Sequence, residues 1–178
     1  ADLARDKSLY SIEKIRAASD ILLDPNGGGE RVANMLRAEL PAQRYWAALA
    51  CLYLGKEVTH KHKSALNALL KDSSRSVQIA AAEALATFPT NKKGDNAAME
   101  VLLANADPTT SSAYHAVAAL NALDHQPQKV LEPYKQRIAR LPTNDPDVPG
   151  RPNGYAARMH KHIASPIPDY FSWEKNNR

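Results

Sequence analysis

Two histidine triplets, His60-Lys61-His62 and His160-Lys161-His162, carry the side chains in this sequence best suited to metal chemistry. A zinc site needs several nitrogen or sulfur ligands converging on one point. On a helix, residues i and i+2 project to opposite sides, and neither triplet has cysteines or carboxylates nearby to complete a shell. Both are expected to be surface histidines, and no metal ligand is assigned. His115 takes the place of an alanine of the neighbouring repeat and His125 falls at a helix end, so structural roles are expected for both.

Nucleophilic chemistry has one candidate, Cys51, the single cysteine. A reactive thiolate needs exposure and a basic neighbour. Cys51 instead follows Ala47 and Ala48 in an apolar helical run and reads as a small core residue. Gly27-Gly28-Gly29 lacks the following Lys-Ser/Thr of a phosphate-binding loop and reads as a flexible turn. No catalytic residue is assigned. Arg44-Tyr45-Trp46 supports two readings: aromatics that fill space left by many alanines, the favoured one, or an arginine and a ring exposed to meet an acidic or sugar partner. The formal charge of +4 raises the question of a polyanion. Its largest local contribution is Lys56, Lys61, Lys63 and Lys71, a run expected to be a solvated face.

These residues sit on elements that repeat. QRYWAALACLYL from Gln43, VQIAAAEALATF from Val77 and SAYHAVAALNAL from Ser112 superimpose with displacements of about 34 to 35 residues, in the range of short helix-pair repeats. In that frame Ala47, Ala81 and Ala116 coincide, as do Ala50, Ala84 and Ala119, and Cys51, Leu85 and Leu120. Small or apolar residues at i, i+3 and i+4 form one inward stripe of a helix. Glu83 and Gln78 fall off the stripe and should be wet. Partner helices are expected over 31–40, 62–71 and 96–105, with Met35/Leu36, Leu66/Leu69/Leu70 and Met99/Leu102/Leu103 as their apolar faces. Asp72 and Asp107 occupy the same place in the turns between halves, where a carboxylate can accept from unpaired amides. The turn before Arg44 has Pro41 and no aspartate, so a tighter loop is expected there.

A leading helix is expected over 8–23, with Leu9, Ile12, Ile15 and Ile21 as its stripe. A fourth pair is expected from 128–141 and 154–164 across a Pro/Asn/Asp/Gly connection. The predicted fold is all-α, a HEAT-like α-solenoid of about four antiparallel helix pairs plus the leading helix, over 1–164. Residues 165–178, with Tyr170, Phe171 and Trp173 among prolines, form an extended tail. No stretch approaches the roughly 18 apolar residues of a membrane helix, so a soluble chain is expected. It begins at Ala1 without an initiator methionine or signal peptide and reads as a segment of something longer.

YSIEKIRAASDILL from Tyr10, RYWAALACLYLG from Arg44, SSRSVQIAAAEALATF from Ser73 and the closing YAARMHKHI from Tyr155 together resemble the HEAT-like C-terminal extension of bacterial sulfatases of the arylsulfatase and N-sulfoglucosamine sulfohydrolase kind. That resemblance implies a parent enzyme that hydrolyses sulfate esters with a formylglycine made from a Cys/Ser-x-Pro-x-Arg motif beside a divalent metal, usually calcium. Cys51 is followed by Leu52, Tyr53 and Leu54 and fails that motif, so both groups belong to a missing catalytic domain. The expected role is a non-catalytic interaction or accessory domain of an exported, periplasmic or secreted sulfatase. The candidate contact residues are Arg44, Tyr45, Trp46, Tyr170 and Trp173. The partners expected are that catalytic domain or another protein, with a sulfated polysaccharide as a further candidate. Two other readings stand beside it: a HEAT-like DNA-binding protein or DNA glycosylase, which the mild charge excess disfavours, and a free-standing protein-binding scaffold.

Overall fold

The structure is a computed structural model in which residues 11–23, 29–90, 96–143 and 154–164 are described, and among these every regular element is helical. In chain order they are α1 (Ile12–Ser19), α2 (Gly29–Met35), α3 (Pro41–Leu54), α4 (Lys56–Lys61), α5 (Lys63–Leu69), α6 (Arg75–Thr87), α7 (Asn96–Ala106), α8 (Ala113–Asp124), α9 (Gln128–Leu131), α10 (Lys135–Ala139) and α11 (Gly154–Ala164). Single 3-10 turns follow α1 at Asp20–Leu23 and α9 at Glu132–Tyr134. No helix among the described residues is long and apolar enough to cross a membrane.

The helix ends follow from local chemistry. Ser11 caps α1 by accepting from the Lys14 amide, and Ser112 caps α8 by accepting from the His115 amide. Pro41 occupies the first turn of α3, where its missing N–H has no helical partner to lose. Gly55 stops α3 at φ 94 and ψ −167, a backbone region that side chains with a Cβ avoid. Its N–H and the Thr59 hydroxyl both donate to Cys51 O, so this carbonyl at the end of the helix is doubly satisfied.

The chain forms two compact units, Ala1–Val101 and Leu102–Arg178, with the boundary inside α7. In the first, α3 is the hub, packing on α1, the 3-10 turn after it, α2, α4 and α6, while α5 packs on α6. The core of α6 runs almost around the helix, with Val77, Ile79, Ala80, Ala81, Ala82, Ala84, Leu85 and Ala86 all buried. In the second unit α8 and α10 both pack on α11, around Leu120, Leu123, Leu131, Ile138 and Ile163.

The matched stripes lie inside. Ala47, Ala50 and Cys51 of α3, Ala81, Ala84 and Leu85 of α6, and Ala116, Ala119 and Leu120 of α8 are all buried. Side chains this small let neighbouring helices approach closely, and here α3 rests directly on α6. The predicted partner faces are buried too, from Met35 and Leu36 through Leu66, Leu69 and Leu70 to Met99, Leu102 and Leu103.

Four expectations are corrected, the first being the partner helix expected over 31–40, which ends at Met35 and gives way to turns over 36–40. Ile12, expected on the inward stripe of α1, is 66% exposed because the Ser11 cap makes it the first residue of the helix, while Ala18 and Ile21 carry the packing. The helix expected over 128–141 is interrupted at Pro133, which cannot donate to the carbonyl of Lys129, and the chain tightens into a 3-10 turn between α9 and α10. His62 and His160, expected at the surface, are buried. Leu9 and the tail 165–178, with Tyr170 and Trp173, lie outside the described residues.

Ala84→Asp or Ala119→Asp places an unpaired charge in a filled core and is expected to lower the unfolding free energy by about 3–5 kcal/mol. Urea titration followed by far-UV circular dichroism checks this, with a shift within error of the wild type as the contrary result.

Candidate functional site

The Arg44 side chain lies where three chain segments meet. α3 presents it one turn in from Pro41, toward the turn that follows α5. Its Nε donates to Asp72 Oδ2 at 2.6 Å and its Nη2 to Asp72 Oδ1 at 2.9 Å, a two-pronged match of guanidinium to carboxylate. Nη1 donates to Ala38 O at 2.7 Å and to Glu39 O at 2.6 Å, carbonyls of the turn between α2 and α3. One side chain thus ties the turn of the α2–α3 pair to the turn of the α5–α6 pair. The pair is largely dry, with the Arg44 and Asp72 side chains 13% and 5% exposed.

Asp72 also orders its own turn. Its Oδ1 accepts from the Ser74 amide at 2.8 Å, and Gln78 Nε2 donates to Asp72 O at 2.6 Å. Burial works to raise the Asp72 pKa, but the hydrogen bond from Arg44, the Ser74 amide and the arginine charge outweigh it, and the carboxyl is held below its ordinary value of 3.8. Asp107 repeats the local part of this device, its Oδ1 accepting from the amide and hydroxyl of Thr109 at 2.8 and 2.7 Å. The turn function expected of both aspartates is thus present. In the repeat frame, however, Arg44 is matched by Gln78, which has no charge.

The other candidate contact residues of α3 are half-buried. Tyr45 and Trp46 meet edge to face, ring centroids 5.6 Å apart at 74°. They are neither sealed in the core nor free rings on an open face. The large apolar side chains that are well exposed among the described residues are Ile12, Leu23, Tyr53 and Tyr114. Of the lysine run, Lys56, Lys61 and Lys71 are exposed, while Lys63 is half-buried and donates to Thr90 Oγ1.

The thiol and the histidines of the described residues occupy different surroundings. Cys51 is fully buried, and burial pushes its thiol up to about 12, far from a thiolate. No group of three or more His, Cys, Asp or Glu side chains could hold a metal ion among the described residues. His60 is half-buried with Nε2 at 3.0 Å from Phe88 O. His62 and His160 are buried with no hydrogen-bond partner for Nε2, and burial lowers the pKa of each. His115 lies against Ser112 Oγ through Nδ1 at 2.8 Å, and His125 closes α8. In the second unit Leu103, Asp107, Arg137, Arg140, Leu141 and Pro142 line an open depression of about 260 Å³. That is below the usual range of small-molecule sites.

The sequence set Asp72 in its turn and Arg44 apart as distinctive, but their partnership lay beyond it, since no spacing rule joined two residues 28 apart. Arg137 and Arg140 carried no signal beyond their charge. No family model matches the chain, and neither a curated protein nor a solved structure does.

Because the folded Asp72 pKa is depressed, its stabilisation is present above about pH 4 and is lost as pH falls through the lowered value. Asp72→Asn is expected to lose about 3 kcal/mol at neutral pH, leaving a buried arginine underpartnered, and to unfold with a flatter pH dependence below about pH 4. Urea midpoints of both proteins across that range measure it; equal slopes would contradict it.

Proposed function

We propose that this chain is a HEAT-like interaction module, a non-catalytic accessory domain that works by contact. The observation that carries this is the burial of matched alanine stripes at about 34 to 35-residue spacing, with Asp72 and Asp107 ordering equivalent turns. Helix pairs that bury their apolar sides on each other leave their outer residues for a partner. In the first unit Tyr45, Trp46 and Tyr53 are the aromatic side chains a partner would meet, and in the second, taken by itself, Tyr114, with Arg137 and Arg140 as cations. The absence of turnover chemistry in this reading rests on the buried, protonated Cys51 and on the small, open depression.

The parentage we favour is the C-terminal part of an exported sulfatase, whose catalytic domain supplies formylglycine and calcium and is the partner that the module packs against. Its support is the resemblance of the RYWAALACLYLG and YAARMHKHI segments, beginning at Arg44 and Tyr155. A sulfated polysaccharide is the further ligand that such an enzyme would bring to this surface. The DNA-binding reading has weaker support, because Arg44, its leading cation, is committed to Asp72 and two carbonyls.

The gene is the first test. A Cys/Ser-x-Pro-x-Arg segment encoded upstream of Ala1 is the expected finding, and an upstream frame without one removes the sulfatase parentage. The isolated chain is expected not to hydrolyse 4-methylumbelliferyl sulfate with calcium present, and not to shift duplex DNA at low salt. Turnover of that ester, or a salt-dependent DNA shift, overturns the reading as an interaction module.

A further inference from the structure

His62 stands between two short helices, ending α4 and beginning α5 at φ −103 and ψ 12. Its side chain is buried, and Nε2 has no hydrogen-bond partner. The charges that bear on it are both positive: Lys61 at the end of α4 and Arg37 from the turn after α2. α3 contributes Arg44 to this unit, α6 Arg75 and Glu83, α5 Lys63, and the α5–α6 turn Lys71 and Asp72, the last of these paired with Arg44. A neutral imidazole fits this place, because one ring nitrogen then carries no proton. Protonation makes both nitrogens donors and buries a cation beside two others with no acceptor at Nε2.

α4 is the element least able to resist such a change. Its one buried residue is Thr59, and it is held by polar bonds: Thr59 Oγ1 to Cys51 O and His60 Nε2 to Phe88 O. α5, by contrast, is anchored by Leu66 and Leu69. Elements with few buried apolar contacts open first. His60 provides a contrast within the same helix. To bond a carbonyl its Nε2 must carry a proton, so that contact is kept whether the ring is neutral or charged.

The geometry points to an acid-sensitive hinge at the α4–α5 junction, in which a proton on His62 releases α4 from α3 and leaves α5 and α6 packed. This goes beyond the interaction reading and does not depend on which partner the module has. The direction is set by linkage. Above the ordinary value of 6.5 the ring is neutral in both folded and unfolded chains and contributes no pH dependence. Below it the unfolded or opened segment takes up a proton that the closed one refuses, so closure weakens as pH falls until the lowered folded value is passed. Detachment of α4 would also uncover the end of α3 around Cys51 O, which Thr59 now covers.

Hydrogen exchange of the full chain at about pH 7.5 and pH 5.5, corrected for intrinsic rates, tests this. The wild type is expected to lose several-fold, up to about tenfold, of its protection in 56–62 on acidification, with α6 unchanged, and His62→Gln, a neutral ring substitute, to lose less than about twofold. Unchanged protection of 56–62 in the wild type overturns the hinge. An equal acid loss in His62→Gln overturns the role of His62. If that variant does not fold, the NMR titration of the His62 ring in the wild type decides: a midpoint below 6.5 supports the hinge, and one at or above it refutes it.

Discussion

A guanidinium group withdrawn from water must find acceptors for its N–H donors, and Arg44 finds them in two different turns. The Asp72 carboxylate takes two prongs, while the carbonyls of Ala38 and Glu39 take the third nitrogen. Neither turn could be displaced without stranding a charge. The order of α2, α3, α5 and α6 therefore depends on one satisfied cation as well as on apolar burial. Asp72 gains its partner at a place where its second task, accepting from Ser74, already holds it still.

Small side chains make this arrangement possible. Ala47, Ala50, Ala81 and Ala84 add little volume between α3 and α6, so the helices approach and the reach from Arg44 to Asp72 becomes short. The larger residues that fill the unit include Leu66 and Leu69 on α5, Val32 on α2, and Val77, Ile79 and Leu85 on α6. In the second unit the same logic recurs with Ala116 and Ala119 on α8, but the turn at Asp107 is closed by Thr109.

How much of this was legible in the sequence differs from element to element. The inward stripes were, because alanines and leucines at i, i+3 and i+4 repeat three times and nothing but a shared helical face explains that. The turn aspartates were, because equal position and residue type carried the same Asx chemistry. Pro133 was missed as a breaker since the surrounding periodicity continues across it. His62 and His160 were misjudged for a related reason. The His-Lys-His pattern gives one lysine to solvent, and alternation implies two faces without saying which of the histidines turns inward. The bond between Arg44 and Asp72 was invisible because it depends on how closely α3 and α6 approach, a distance no single segment encodes. Of the candidate contact residues, Arg44 is structural in its bonding, and Tyr45 and Trp46 remain half-open at the surface.

A double-mutant cycle with Arg44→Met, Asp72→Asn and the combined variant measures the central interaction most directly, since the combined protein lacks both charges and strands neither. Unfolding free energies at neutral pH are predicted to give a coupling energy of about 2 kcal/mol or more between the two side chains. Additive losses, with coupling below about 0.5 kcal/mol, would contradict the claim that this ion pair holds the two turns together.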